Sequence, residues 1–195
     1  MGILANLACH YNPIGSQLSQ DPDLFKVCYL ILCHENDAHV LLEVTRLLST
    51  LFSFSPEQNN LEIIKNLALF LTETDPARPS VIHQYSKIIT NTLHTELLLA
   101  SLQLIINVTQ FLCSSEDDNS YLSYVIYSIV SKMKAHEIPK LMDWGLDRLE
   151  EQKRGVGIGM GLNRKIAKNV MRLLWLFLYY DLVELEGKAH KKECY

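Results

Sequence analysis

Residues 38–53, AHVLLEVTRLLSTLFS, carry the pattern that decides the fold. Apolar residues fall at Val40, Leu41, Val44, Leu47, Leu48, Leu51 and Phe52. This is the 3/4 spacing of one buried helix face, and it predicts a helix from Ala38 to Ser53. A shift of 57 positions finds the pattern again: Leu41 falls on Leu98, Leu42 on Leu99, Leu47 on Leu104, Leu48 on Ile105 and Leu51 on Val108. Each copy follows a shorter helical segment after a tight turn. Helix pairs of this kind bury their faces against neighbouring pairs, as stacked helical repeats do. The shift exceeds the roughly 40–47 residues of armadillo and HEAT repeats. Either the repeats are irregular or an extra helix, Asn60 to Leu71, lies between the copies.

Working outward, Asp21-Pro22-Asp23 opens a helix that runs through Cys33, with Pro22 accommodated in the first turn. Residues 34–37 are a turn, and Ser55-Pro56 ends the following helix. Asp75 to Ser80 is a linker with Ser80 as an N-cap. Further helices are expected over Val81–Leu93, Glu96–Cys113, Tyr121–Lys134 and Ile138–Glu151, with a polar loop at residues 114–119. The expected organisation is helical repeats over 1–151, a Gly-rich linker over 152–163, a C-terminal helix over 164–186 and a frayed tail over 187–195. No apolar run shows the period of a strand. The fold class is all-α, an armadillo/HEAT-like α-solenoid of about eight helices.

The chain has 195 residues, 48% of them hydrophobic and 21% charged, which suits a packed core rather than disorder. The 18 basic and 22 acidic residues give a net charge of -4, without the basic excess of a nucleic-acid binder. The five cysteines are odd in number, and Cys9, Cys28, Cys33 and Cys113 lie in apolar helical patterns. They read as small buried hydrophobes of a reducing compartment. The N-terminus has no signal-peptide pattern, and the apolar run Leu173–Tyr180 is far short of the roughly 20 residues that span a bilayer. The expectation is an intracellular chain that engages neither membrane nor nucleic acid.

The segment Gly2-Ile3-Leu4-Ala5-Asn6-Leu7-Ala8-Cys9 sets one small polar residue among apolar ones. It resembles the inner helix of an armadillo repeat, in which an Asn turns toward the ligand groove. Together with residues 21–33 and Leu41-Leu42-Glu43-Val44-Thr45-Arg46-Leu47-Leu48-Ser49-Thr50, it resembles the serum amyloid A-like armadillo-type proteins. Those proteins show GILGNMAC, a short helix, then LLETSRLLLTCLS at similar spacing. The resemblance covers about residues 2–54, is weaker over 80–118, and is not carried past 150. Family members are longer, with an acidic region before the matched part and further helices after it, so the chain looks like a short isoform, a fragment or a shortened relative. The resemblance implies a non-enzymatic, mostly nuclear helical-repeat protein linked to cell proliferation.

Asn6 and Asn107 each sit behind apolar residues on an expected inner helix, and Thr50 takes the corresponding place between them. A side-chain amide can donate to a C=O and accept from an N–H at once, which suits it to clamp an extended peptide. The alternative is a local or interhelical hydrogen bond. Asn107-Val108-Thr109 also fits a glycosylation sequon, but lies within a helical pattern. Arg164, Lys168 and Arg172 recur at i, i+4 and i+8 and line one helix face, a second candidate site for an acidic partner. A solvated outer face is the alternative. The apolar stretch 173–180 of the same helix exceeds what a terminal helix hides by itself, so it caps the core or docks elsewhere.

The glycines at 155, 157, 159 and 161 lack the spacing and the preceding strand of a nucleotide loop, and read as a linker. Cys28 and Cys33 stand roughly 140° apart around a helix, without a second pair at zinc-ligand spacing. No catalytic signature nominates a nucleophile or an acid–base pair. The sequence therefore points to a protein partner, an extended or helical peptide, with no enzyme activity, metal or cofactor. The competing expectation is a structural segment of a longer solenoid, or one that self-associates through its apolar ends.

Overall fold

In a computed structural model, the structure describes residues 2–10, 12–53, 66–68, 70–71, 79–114, 120–153, 160–180 and 182. All regular structure among them is helical, so the protein is all-α. The helices are α1 (Gly2–His10), α2 (Asn12–Leu18), α3 (Pro22–His34), α4 (Ala38–Ser53), α5 (Val81–Asn91), α6 (Thr95–Ser114), α7 (Ser120–Lys132), α8 (Ile138–Lys153) and α9 (Met160–Tyr179). A single π-helical turn, Met133–Glu137, joins α7 to α8. Residues 66–68 and 70–71 are also helical.

Local chemistry sets the helix starts. The Asp21 carboxylate accepts from the backbone N–H groups of Asp23 and Leu24, satisfying donors that have no partner inside α3. Asp37 does the same for α4 through His39 N–H at 2.7 Å. Ser80 caps α5 by accepting from His83 N–H. At α6 the acceptor is the His94 ring, whose Nδ1 lies 3.2 Å from Leu97 N.

Packing divides the helices into two sets. In the first, α4 lies between α1 and α6, and α6 packs on α9. The contacts along α4 and α6 advance together: His39 meets His94, Ser49 meets Asn107, and Phe52 meets Phe111. The two helices are therefore parallel. Gly2 lies against Glu43, and Asn6 shares a cleft with Arg46 and Thr50, so α1 also runs with α4. In the second set, α3 contacts α5, and α5 contacts α8 and the π turn. The Tyr29 hydroxyl donates to the Pro79 carbonyl just before α5, and Tyr85 reaches Thr45 of α4. Because His39 sits near residue 94 while Thr45 sits near residue 85, α5 runs against α4.

The core runs between the two sets. Leu47, Leu48 and Leu51 of α4 are fully buried, and each contributes about 1.5–3 kcal/mol by leaving water. Helix α6 is buried on several sides at once, at Leu97, Leu102, Ile106, Val108 and Phe111, because α4, α5 and α9 all pack on it. By length and composition alone its stretch Thr95–Cys113 could cross a membrane, and 61% of it is buried within the protein.

Helix α4 spans the expected residues, and α6 starts one residue earlier than expected. Val40 departs from the expected face: it is 38% exposed, and Leu42 takes the core position. Residues 135–137, expected to separate two helices, lie instead in a continuous π turn, for a reason that Pro139 supplies. Proline lacks an N–H and its ring crowds the preceding turn, so the i→i−4 ladder cannot pass it. The chain widens by one residue instead, and Ile138 N–H donates to Met133 O.

The expected linker 152–163 and helix 164–186 are both corrected. Helix α8 continues to Lys153, and α9 starts at Met160, so Gly161 is helical. The last helix ends at Tyr179 rather than near Leu185, because Leu182 N–H turns back to the Phe177 carbonyl and Leu182 enters the core. Most of the expected helix 60–71, residues 115–119 of the expected loop and the expected tail lie outside the described residues.

Candidate functional site

Two concave regions stand out. The first is a shallow cleft of about 350 Å³ along the first helix set. Asn6 from α1, Arg46, Ser49 and Thr50 from α4, and Gln103 and Asn107 from α6 line it. The three residues expected to contact a peptide, far apart in sequence, thus share one surface.

Their availability differs. Asn6 is exposed. The Thr50 hydroxyl donates to the Arg46 carbonyl at 2.9 Å, which leaves its oxygen able to accept. Asn107 is already engaged: its Nδ2 donates to the Ser49 carbonyl at 2.9 Å and to Ser49 Oγ, while its Oδ1 accepts from Gln103 Nε2. Its amide is the interhelical tie that the alternative reading of Asn107 anticipated. Arg46 forms an ion pair with Glu43 at 2.8 Å and lies 4.0 Å from Glu96, so the cleft's cation is partly neutralised.

The expected basic site lies elsewhere. Arg164, Lys168 and Arg172 are exposed on α9, and Arg172 reaches Gln110 of α6 at 3.4 Å. The same face carries Met171, Trp175, Leu178 and Tyr179, all exposed, with the Trp175 and Tyr179 rings stacked at 4.8 Å. The opposite face buries Val170, Leu173, Leu176 and Phe177. Helix α9 thus hides half of its apolar residues and leaves the other half bare beside its cations.

The second region is a pocket of about 490 Å³ between α5, α7 and the π turn. Its walls are apolar, from Leu71, Ile82, Ile129 and Met133. At one side His83 Nδ1 lies 2.8 Å from Glu137 Oε1. The Glu137 side chain is 8% exposed, and its second oxygen, Oε2, is shut off from solvent. Burial pushes the Glu137 carboxyl upward, but the His83 hydrogen bond, the nearby Ser86 hydroxyl and the charges of His83 and Lys140 outweigh it. The net shift is downward, and the group is ionised at neutral pH. Exposed Lys132, His136 and Lys140 surround the mouth.

The sequence reading missed this dyad because its partners stand 54 positions apart on different helices. The available signal was the cluster Lys132, His136, Glu137 and Lys140 just before and after Pro139.

Burial pushes the Cys28 thiol up to about 12 and Cys113 up to about 11. Among the described residues, no three His, Cys, Asp or Glu side chains converge as metal ligands would. No protein-family model, curated protein or solved structure matches the chain.

Proposed function

We propose that the protein is a non-enzymatic binding scaffold that holds an extended or helical peptide along the cleft formed by α1, α4 and α6. The observation that carries this reading is the shared cleft of Asn6, Thr50 and Asn107 on helices stacked side by side. Parallel neighbours joined through antiparallel helices are the arrangement an α-solenoid produces, and repeats of this kind present extended ligand surfaces. Asn6 and Thr50 supply the free polar contacts to a peptide backbone, and Asn107 fixes the spacing of α4 and α6 beneath them. An armadillo-type scaffold with a nuclear role in cell proliferation, as the resemblance of residues 2–54 implies, belongs to the same proposal.

The test selects extended peptides from a displayed random library on the intact protein, then measures their affinity for the Asn6→Ala/Thr50→Ala variant. A loss of tenfold or more with an unchanged melting temperature is expected. Equal affinity for both proteins would overturn the reading.

A second reading has its own observation. The outer face of α9 exposes Trp175 by 56% and Tyr179 by 65%, and α1 exposes Ile3 by 78%. Bare apolar faces on the two outermost helices of one layer suit a structural segment that stacks on further helices or on itself. Light scattering over a concentration series separates the cases. A constant mass of 22.3 kDa opposes self-association. A mass that grows with concentration and reverts in Trp175→Lys supports it.

A further inference from the structure

The last two helices lie in contact, since a Cβ at Gly145 of α8 would meet Val170 and Leu174 of α9. They run antiparallel. A parallel α9 would need about 30 Å between Lys153 and Met160 along the helix axes, and the seven chain steps between those residues reach only about 25 Å. Gly145 is therefore level with residues 170–174, and each step forward along α8 is a step back along α9.

The exposed sides of this hairpin carry opposite charge. Helix α9 has no Asp or Glu and exposes Arg164, Lys165, Lys168 and Arg172. Helix α8 exposes Asp143 and Asp147 one turn apart, while Arg148 is neutralised by Glu151, and Lys140 and Lys153 stand toward its two ends. Among the described residues, Asp143, Asp147, Arg164, Lys165 and Lys168 form no ion pair. Exposed apolar side chains accompany both sets of charges: Leu146 on α8, and Met171, Trp175, Leu178 and Tyr179 on α9.

These charges select what covers the apolar surface. An anionic surface attracted to α9 meets the acids of α8 beside it. Helix α1, at the other edge of the layer, has no Asp or Glu and would leave the cations of α9 unmatched. A second α8–α9 hairpin supplies both apolar surface and the missing acids. A two-fold axis along the helices lays α8 of each copy on α9 of the other at the same level, with Asp147 between Lys168 and Arg172 of the second copy. A two-fold axis across the helices would set α9 on α9, cation against cation.

We infer that the protein forms a closed two-fold dimer through this hairpin, α8 of each copy against α9 of the other. The aromatic and aliphatic side chains supply the affinity, and the charges fix the orientation. A pairing that uses the same surface on both copies closes at two. This dimer rests on the self-association reading above and narrows it to one pair of helices and one stoichiometry.

Sedimentation equilibrium on the full chain should show a mass that rises with concentration and stops at twice 22.3 kDa. A mass that keeps rising would overturn the closed dimer and leave open-ended stacking in place. A constant single-chain mass would overturn both. Charge reversal then assigns the helices. Arg164→Glu/Lys168→Glu/Arg172→Glu turns α9 acidic, and Asp143→Lys/Asp147→Lys turns α8 basic. Each variant alone should dimerise at least tenfold more weakly than the wild type. An equimolar mixture of the two should regain the dimer, because each acidic helix then meets a basic one.

Reversals without effect would overturn the assignment while self-association stands, and a mixture that stays monomeric would overturn it as well. Circular dichroism establishes that each variant is folded. The wild type supplies a check that needs no variant: added salt should weaken its dimer several-fold, and a salt-independent dimer would overturn the role of the charges. Co-sedimentation of the single chain with phosphatidylserine vesicles, lost in the α9 reversal, would give the face to a lipid surface instead.

Discussion

The Asn107 amide donates to the Ser49 carbonyl at 2.9 Å, joining α6 to α4 at a point that also lines the peptide cleft. Replacing Asn107 with Ala removes that bond and the acceptor of Gln103 Nε2 together. The expected cost is about 1–2 kcal/mol, read as a lower urea midpoint. Asn6→Ala, at an exposed position, should leave the midpoint within about 0.5 kcal/mol of the wild type.

A sharper asymmetry is expected at Thr45 and Tyr85. The Thr45 hydroxyl donates to the Leu41 carbonyl at 2.6 Å, so Tyr85 must be the donor across the 3.1 Å contact between the two side chains. Thr45→Val leaves the fully buried phenol without an acceptor and should cost about 1–3 kcal/mol. Tyr85→Phe leaves Thr45 still bonded to Leu41 and should cost less. Paired denaturation curves for the two variants check the order.

Helices α8 and α9 approach closely at Gly145. A Cβ there would stand 3.0 Å from Val170 Cγ1 and 3.4 Å from Leu174 Cδ2. Gly145→Val should therefore destabilise by about 1–3 kcal/mol through overpacking. Adding Val170→Ala opens the contested space and should recover part of the loss, a non-additivity that a double-mutant cycle measures.

Glu137 makes folding sensitive to acid. Its folded pKa lies below the ordinary 4.5, so ionisation favours the folded state. The contribution is fully present well above pH 4.5 and is lost as pH falls from there through the lower folded value. Stability of the wild type should thus fall more steeply below pH 4.5 than that of Glu137→Gln. Identical slopes in denaturation at stepped pH would remove Glu137 from the account.

The cysteines give a chemical check on burial. With its thiol at about 12, Cys28 exposes almost no thiolate at pH 8, and Cys113 at about 11 little more. Brief iodoacetamide treatment at pH 8 should leave both unmodified in the folded protein and label both in denaturant, as peptide mass spectrometry would show.

Much of the helical order was legible in the sequence, for local reasons. The caps Asp21 and Ser80 and the apolar face of α4 depend on neighbours within a few residues. The boundaries that were misplaced depend on distant contacts. Gly161 joins a helix that docks on α6 and α8, and Leu182 turns back to bury itself in the core. The same contrast holds for the sites. The placing of Asn6, Thr50 and Asn107 followed from a repeated pattern, whereas the use of the Asn107 amide depends on Ser49 of another helix. The His83–Glu137 pair has no periodic trace, and no local pattern announces the π turn that carries α7 into α8.

The opposed course of α5 relative to α4 has an electrical consequence. Each helix carries about half a positive charge at its N-terminal end and half a negative charge at its C-terminal end. In α4 and α6 these partial charges lie side by side with the same sense, an arrangement that repels. Helix α5 contacts α6 with the opposite sense and sets its negative end beside their positive ends. A helix of the second set thereby offsets part of the mutual repulsion of the first, and lowers the electrostatic cost of laying α4 and α6 parallel.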